Sequence, residues 1–175
     1  MKISKTKLNN WKNVMINVFS ENINENYNID EEKFLSIAKK VLEYYLSKVK
    51  AESCLSEQEY KTISFDILYC DSTKTHEINK EYRNKDYPAD IITFAIFADS
   101  EDKLILDGEI NLGEIIIALD KIDEESKKKG TTFDHELAFL ISHGIMHLLG
   151  FDHQTEEDYN FVVNMQNEAL GSINE

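Results

Sequence analysis

Apolar and polar positions follow two periods along the chain, one typical of strands and one typical of helices. Short runs rich in β-branched and aromatic residues predict strands at 14–19, 61–70, 90–97 and 112–119. Apolar residues at helical spacing predict helices at 31–50, 73–82, 120–129, 132–149 and 155–170. Between the last two strands, the segment 98–108 predicts a turn with a short edge strand.

Residues suited to helix ends support these boundaries. Asp30 can cap the first long helix, and Asp71 or Ser72 can cap the second. Gly130 and Gly150 stand just after two predicted last turns, where glycine commonly ends a helix. Because strands and helices interleave and include a hairpin, we expect an α+β (mixed α/β) fold. Its few-stranded mixed sheet is packed with helices, and helix 132–149 lies against the sheet.

Composition narrows the class of protein. Of the 175 residues, 42% are hydrophobic and 30% charged, which excludes a disordered tail. A single proline and the absence of a linker predict one domain over 1–175. No apolar run reaches the ~20 residues of a membrane span, and none follows the N-terminal positive charges as in a secretory signal. Cys54 and Cys70 form no disulfide framework, so we expect a reduced, cytoplasmic protein that binds no membrane.

The net charge restricts the partners of the protein. Nineteen basic side chains against 33 acidic ones give a charge of -14. This balance argues against a protein that coats nucleic acid generally, because non-specific affinity comes mainly from cations that neutralise phosphates. It leaves room for a local basic site, and we expect no binding to DNA.

The stretch from 143 to 153 carries the candidate chemistry. His143 and His147 are four residues apart on a predicted helix, so both imidazoles project from one face. Gly150 lets the chain turn sharply, and His153 can fold back toward the same point. Three neutral imidazoles would leave a bound Zn²⁺ with an open coordination position, as in catalytic and not in structural zinc sites. We therefore expect these histidines to bind one Zn²⁺ per chain.

Two other interpretations of this stretch stay open. The three histidines can be two helix-surface residues and a loop residue without any ligand. Their spacing also equals the H-E-x-x-H-x-x-G-x-x-H pattern of metzincin proteases, whose glutamate deprotonates the zinc-bound water. Here that position is Gly144, which accepts no proton, so a peptidase would need a base from elsewhere.

Three ordered segments resemble one family. Residues 143–153, HGIMHLLGFDH, resemble the H-G-x-x-H-L-x-G-[YF]-D-H signature of the bacterial YbeY endoribonucleases. Residues 78–91, INKEYRNKDYPADI, resemble that family's L-N-x-x-Y-R-x-K-D-x-P-T-D-V segment, and 112–115, LGEI, its L-G-D-I strand. The resemblance covers about 61–170. It departs from the usual family residues at a few places that spare the histidines, namely Ala89, Thr93, Ala95, Glu114 and Ala118.

The resemblance implies a metal-dependent endoribonuclease selective for single-stranded RNA, acting in rRNA maturation and ribosome quality control. It implies Zn²⁺ at His143, His147 and His153, and Arg83 as a catalytic residue across the same cleft. The implied partners are rRNA and the small ribosomal subunit or its assembly factors. The alternative for Arg83 is a surface arginine paired with Asp86 or Glu81.

Three further residues are weaker candidates, each with an ordinary structural alternative. Asp152 can orient an imidazole or stabilise the turn after Gly150. Lys85 can contact phosphate beside Arg83 or remain solvated. Glu136 can support the histidines from two turns back or interact with the helix dipole in its first turn.

Two rival functions also stay open at this stage. One is a metallohydrolase that acts on another substrate, such as a peptide. The other is a ribosome-assembly factor that binds metal without catalysis.

Overall fold

The computed structural model describes residues 13–174, and within them a four-stranded sheet is combined with six helices. The elements are β1 (Met15–Asn22), α1 (Glu31–Val49), β2 (Thr62–Cys70), α2 (Ser72–Tyr82), β3 (Ile91–Phe94), α3 (Ile96–Asp99), β4 (Glu109–Ala118), α4 (Leu119–Lys129), α5 (Phe133–Leu148) and α6 (Glu156–Ile173). The sequence predictions for residues before 13 lie outside the described residues.

The sheet is mixed, as predicted. Its strand order is β1-β2-β4-β3, with β1, β2 and β4 parallel and β3 antiparallel to β4. The hairpin expected from the sequence is the β3–β4 pair, in which Ile91 lies opposite Ile117. The two parallel pairings place β2 and β4 in the middle of the sheet, where strands are buried on both faces and read as long apolar runs.

Successive residues of β4 point into two different layers. Ile115 and Ile117 belong to the large core shared with α1, α5 and α6. Between them, Ile116 packs with Ile78 of α2 and Ile92 of β3 in a smaller cluster. Since side chains alternate across a strand, helices must cover both faces of this sheet. Helix α5, which carries two of the histidines, therefore lies on the large-core face, against β4.

Side-chain caps begin the longer helices where the sequence predicts them. Asp30 accepts from the N–H of Lys33 at 3.1 Å, and Asp71 from that of Lys74 at 2.9 Å. Gly130 ends α4 with a φ of 69°, in the left-handed region that favours glycine. These ends depend on residues close in sequence, which is why the pattern located them.

The region from 90 to 111 corrects two predicted boundaries. The strand predicted at 90–97 stops at Phe94, and α3 follows from Ile96. A Cβ on Gly113 would lie 1.8 Å from the Phe94 carbonyl oxygen. The backbone at the end of β3 therefore lies directly against the backbone of β4 at Gly113. The sequence offers little indication of this end, because Ala95 stands where the family that the chain resembles commonly has proline, a residue that often marks a boundary between elements.

Strand β4 is longer than predicted, and the edge strand expected within 98–108 is absent from the described residues. Only an isolated bridge between Leu106 and Glu109 remains there. β4 begins at Glu109 because buried Ile110 and Leu112 alternate with exposed Glu109 and Asn111, which is the pattern of a half-covered strand.

Two observations concern the predicted class of protein. None of the helices within 13–174 combines the length and the apolar character that a membrane crossing needs. Cys54 and Cys70 are free thiols, the first half-buried and the second buried. Burial raises the pKa of Cys54 to about 11.

Candidate metal centre

Helix α5 carries His143 and His147, and its first turn sets their position along the chain. The Thr132 side chain accepts from the N–H of His135 at 3.1 Å and caps the helix. Two acidic residues in the first turn, Asp134 and Glu136, are favoured there by the helix dipole. From this start, the two histidines lie one turn apart near the C-terminal end of α5.

Gly144 allows α5 to pack closely on the sheet. A Cβ at this position would lie 2.9 Å from Cδ1 of Ile115, on the large-core face of β4. Sequence reasoning used Gly144 as part of the family signature and as a residue that cannot act as a base. Because Gly144 has no side chain, the helix that carries His143 and His147 lies close to β4. This close packing determines how far the two histidines lie from the sheet.

The chain reverses direction directly after α5 and returns the third histidine. Gly150 has a φ of 92°, which favours glycine, and its N–H donates to the carbonyl of His147 at 2.9 Å. The N–H of Phe151 donates to the carbonyl of Met146 at 3.1 Å. As a result, the ring centroid of His153 lies 5.3 Å from that of His143 and 5.1 Å from that of His147.

The three predicted histidines converge on one point. Nε2 of His147 lies 2.9 Å from Nε2 of His143, and one nitrogen from each of the three rings lies within 4.8 Å of the others. Across residues 13–174, this is the one cluster of three or more histidine, cysteine or acidic side chains close enough to share an ion. No fourth protein ligand joins it in this part of the chain.

The electrostatics of the cluster keep two imidazoles neutral at pH 7. Burial, with the neighbouring His147 and His153 acting in the same direction, lowers the pKa of His143 to about 4. Burial also lowers the pKa of His147, with His153 and Arg83 acting in the same direction. Neutral imidazole is the form that binds a metal ion. The donor set, three imidazoles with an open side, therefore fits Zn²⁺ in a catalytic type of site.

The open side of the histidine cluster faces a cleft of about 420 Å³. Its lining combines the three histidines with residues from the end of α2, from β3 and α3, and from the loop after α5: Arg83, Ile91, Thr93, Ala95, Asp99, Gly150, Phe151 and Asp152. A larger apolar groove lies nearby around Leu104 and Leu106, but it contains none of the histidines. The cleft with the histidines is where chemistry at an ion could reach a substrate.

Arg83 lies in this cleft, as the sequence motif implied. It follows the last turn of α2, where its N–H donates to the carbonyl of Asn79 at 3.0 Å. Its Nη1 donates to the Asn79 side-chain oxygen at 3.2 Å, and buried Asn79 in turn donates to the carbonyl of Tyr87 at 2.9 Å. Asp86, one of the partners considered from sequence, instead bonds His76 at 2.8 Å.

The neighbouring lysines do not line the cleft. Lys85 lies with its ammonium 6.0 Å from the centroid of the Tyr87 ring. Lys74 pairs with Glu77 at 3.5 Å, and Lys80 lies 3.9 Å from Asp86. Of Lys74, Lys80, Arg83 and Lys85, which follow one another on α2 and the loop after it, Arg83 alone lines the cleft beside the histidines.

The structure separates Asp152 and Glu136, the two acidic candidates. Asp152 lines the cleft, and its carboxylate accepts from the N–H of His153 at 2.7 Å, a contact that stabilises the turn. Glu136 lies at the far end of α5, where the hydroxyl of Thr131 donates to it at 2.7 Å and Lys129 approaches at 3.5 Å. These contacts favour the first-turn role of Glu136 over a role beside the histidines.

Sequence reasoning missed two residues near the histidines. Asp99 reaches the cleft because α3 turns the chain after β3, a turn that the strand prediction for 90–97 overlooked. Gln166 of α6 is fully buried beside His143. No local motif could have identified Gln166, because a single glutamine on an amphipathic helix has no distinctive spacing.

Comparison with known proteins gives one consistent family. The family model described as endoribonuclease YbeY matches residues 19–174. An endoribonuclease YbeY of Malacoplasma penetrans is 36% identical over 151 residues, which cover 83% of this chain and 95% of that protein. An endoribonuclease YbeY of Bacillus cereus is 36% identical over 143 residues, which cover 80% of this chain and 86% of the relative.

A solved structure supports the fold. The solution structure of a Thermotoga maritima protein matches 91% of this chain and 92% of its own, with a TM-score of 0.54 and 23% sequence identity. At this level of identity the likeness concerns the mixed sheet and its helices alone.

Proposed function

The chain belongs to the YbeY family of endoribonucleases, and we propose that it is a zinc-dependent enzyme that cleaves single-stranded RNA in rRNA maturation and ribosome quality control. Family membership makes it an RNA-cleaving hydrolase. We further propose that the metal is zinc, that its ligands are His143, His147 and His153, and that residues 1–175 act as one domain.

The observation that supports a hydrolytic metal site is the convergence of three imidazoles, which no fourth protein ligand from residues 13–174 joins. Nε2 of His143 and Nε2 of His147 are 2.9 Å apart, and both nitrogens cannot be satisfied by each other when the rings are neutral and carry the same tautomer. A cation at this point would satisfy all three rings. The side left open is the cleft that Arg83 lines.

Within this proposal each residue has a defined task. When bound, a zinc ion would supply Lewis-acid activation of water and of a phosphoryl oxygen. The three histidines hold the ion. Arg83 binds the non-bridging oxygens of the phosphodiester, where negative charge gathers in the transition state, with two parallel hydrogen bonds. Asn79 orients Arg83 through the 3.2 Å bond to Nη1.

The charge of the protein shapes how RNA reaches the cleft. With a net charge of -14, most of the surface repels RNA. Arg83 and a bound dication would make the cleft the attractive region. We therefore propose modest, salt-sensitive affinity for isolated RNA. Specificity then comes from the small ribosomal subunit or an assembly factor in the cytoplasm, without DNA or membrane partners.

The test combines metal analysis with RNA cleavage. Wild-type protein and His147→Ala are purified, their zinc content is measured, and each is incubated with a labelled single-stranded RNA with and without a chelator. We expect about one zinc per wild-type chain, cleavage that the chelator abolishes, and loss of both in H147A. His135→Ala removes an exposed histidine from the other end of the same helix and should keep zinc and cleavage.

Each alternative function predicts a different result in this assay. Chelator-sensitive cleavage of peptides with intact RNA would identify a metallohydrolase of another class. Zinc binding without cleavage, together with rescue of rRNA processing in cells by H147A, would identify a non-catalytic assembly factor. Cleavage of RNA that survives both the chelator and H147A would contradict the metal site.

A further inference from the structure

Gln166 is a polar side chain buried in the apolar interface between α5 and α6. It has 0% exposure, and its neighbours on the same face of α6 are the apolar Val162, Met165 and Ala169. Burial of an amide without hydrogen bonds costs roughly 1–3 kcal/mol. A leucine or methionine would fill such a position without that cost. The glutamine therefore needs an explanation from its surroundings.

One hydrogen bond determines which way the amide of Gln166 points. Its Nε2 lies 3.4 Å from the carbonyl oxygen of Phe139, which can only accept, so the amide nitrogen faces Phe139. The Oε1 atom consequently faces away from Phe139. It has no well-formed hydrogen bond to any residue in the described part of the chain.

The missing donor for Oε1 is available on the next turn of α5. His143 follows Phe139 by one turn, and side chains on a helix lean toward the preceding turn. The Gln166 side chain lies beside the His143 ring, close enough to interact with it. Nε2 of His143 faces His147, so the nitrogen left for Gln166 is Nδ1.

We propose that Gln166 is a positioning residue for the metal centre, accepting a hydrogen bond from Nδ1–H of His143 and so keeping Nε2 unprotonated for the ion. The inference rests on the zinc site of the proposed function and extends it to α6. A neutral imidazole carries one proton, and the partner of one ring nitrogen decides which nitrogen remains a ligand.

The predicted effect on metal binding follows from this tautomer. Without the acceptor, the proton of His143 can occupy Nε2, and the ring is also free to rotate away from the cluster. Loss of a hydrogen bond that orients a ligand typically weakens metal affinity about 10–100-fold. A glutamine that serves only to fill space would produce no such change when replaced by a residue of similar volume.

The test reads the tautomer directly, in protein without metal. Nitrogen-15 chemical shifts of the histidine rings are recorded at pH 7.5 for the wild type, Gln166→Met and Gln166→Glu. We expect Nδ1–H on His143 in the wild type, a shift toward Nε2–H in Q166M, and Nδ1–H again in Q166E. The last variant restores a strong acceptor at the same length.

A second readout measures zinc affinity by competition with a chromophoric chelator. We expect Q166M to bind zinc about 10–100-fold more weakly than the wild type, and Q166E to bind at least as tightly. Val162→Ala is the matched control: it creates a small cavity on the same face of α6 and lowers stability without removing an acceptor. V162A should retain both the wild-type tautomer and the wild-type affinity.

The outcomes separate this inference from its alternatives. An unchanged tautomer and affinity in Q166M would overturn it, and so would an equal loss of affinity in V162A. Should Q166M fail to fold, Gln166→Asn shortens the side chain by one methylene and must show the same loss. Neither readout involves RNA, so absence of RNA cleavage by the wild type would defeat the proposed function while leaving this inference to be judged on its own data.

Discussion

The two ends of helix α5 differ in whether their polar side chains have hydrogen-bond partners. At the N-terminal end, Glu136 is only 5% exposed, yet Thr131 donates to its carboxylate at 2.7 Å and Lys129 lies within 3.5 Å. The backbone there is capped by Thr132. The polar groups at this end of the helix therefore have partners within the protein.

At the C-terminal end, polar atoms are brought together without such partners. Nε2 of His143 and of His147 face each other at 2.9 Å, His153 returns to the same point, and Oε1 of Gln166 has no well-formed hydrogen bond. Buried polar groups in proteins are normally paired, so an unpaired set needs an explanation. The comparison teaches that satisfied burial marks a structural end of the helix and unsatisfied burial marks a binding end.

The largest expected effect is that of replacing Arg83, which we expect to act only at the C-terminal end of α5, where the histidines lie. We expect Arg83→Ala to lower RNA cleavage about 10²–10³-fold, because a donor aimed at transition-state charge is lost. Zinc content and the melting temperature should remain near wild type. Single-turnover cleavage and metal analysis of the same preparation measure both.

Lys85→Ala is the control for Arg83→Ala, since it removes a cation from the following loop that does not line the cleft. Cleavage should fall no more than a few-fold in this variant. Equal losses in both variants would mean that general positive charge, and not a specific contact, matters at this end.

Gly144→Ala should disturb the packing of the C-terminal part of α5, which carries His143 and His147, against β4. The added methyl would meet Ile115 at 2.9 Å, and overpacking of this kind costs roughly 1–3 kcal/mol in the free energy of unfolding. Because the strain lifts α5 from β4 beside His143 and His147, zinc affinity should fall as well. Chemical denaturation and zinc competition measure the two effects.

Gly171→Ala provides the opposite case on α6, because nothing lies within 4 Å of the added Cβ. Replacing a helical glycine in open space should raise the free energy of unfolding by up to about 1 kcal/mol. If both alanine variants raised the free energy of unfolding, the close approach of α5 to β4 would not require a glycine at position 144.

Glu136→Leu tests the N-terminal end of α5, where the buried carboxylate has hydrogen-bond partners. Loss of the bonds from Thr131 and Lys129 should lower the free energy of unfolding by about 1–2 kcal/mol. Zinc affinity and cleavage per folded molecule should stay at wild-type levels, because these contacts lie at the other end of the helix. A selective loss of zinc binding in this variant would break the comparison between the two ends.

Asp152→Ala should have the smallest effect. Its bond to the N–H of His153 at 2.7 Å supports an exposed turn, so its loss should cost about 0.5–1 kcal/mol at most. Zinc affinity should fall only a few-fold. A much larger loss, absent in Gln154→Ala, would assign Asp152 a direct part in orienting the metal ligands.

Local features of the fold could be predicted because their causes are local. Asp30 and Thr132 cap helices through bonds to residues three positions away, and the spacing of His143 and His147 follows from helical geometry. The boundaries of β3 and β4 were harder. They depend on the close approach of Phe94 to Gly113, a contact between two strands that no single segment contains.

The sequence by itself determined the elements, the mixed class of the fold and three histidines capable of sharing an ion, since periodicity and caps act over a few residues. Tertiary structure alone decided which other side chains meet them. It brought Asp99 to the cleft that Arg83 lines, placed Gln166 of α6 beside His143, and left Glu136 at the far end. The packing of helices on a sheet joins residues distant in sequence, and its geometry depends on the whole core.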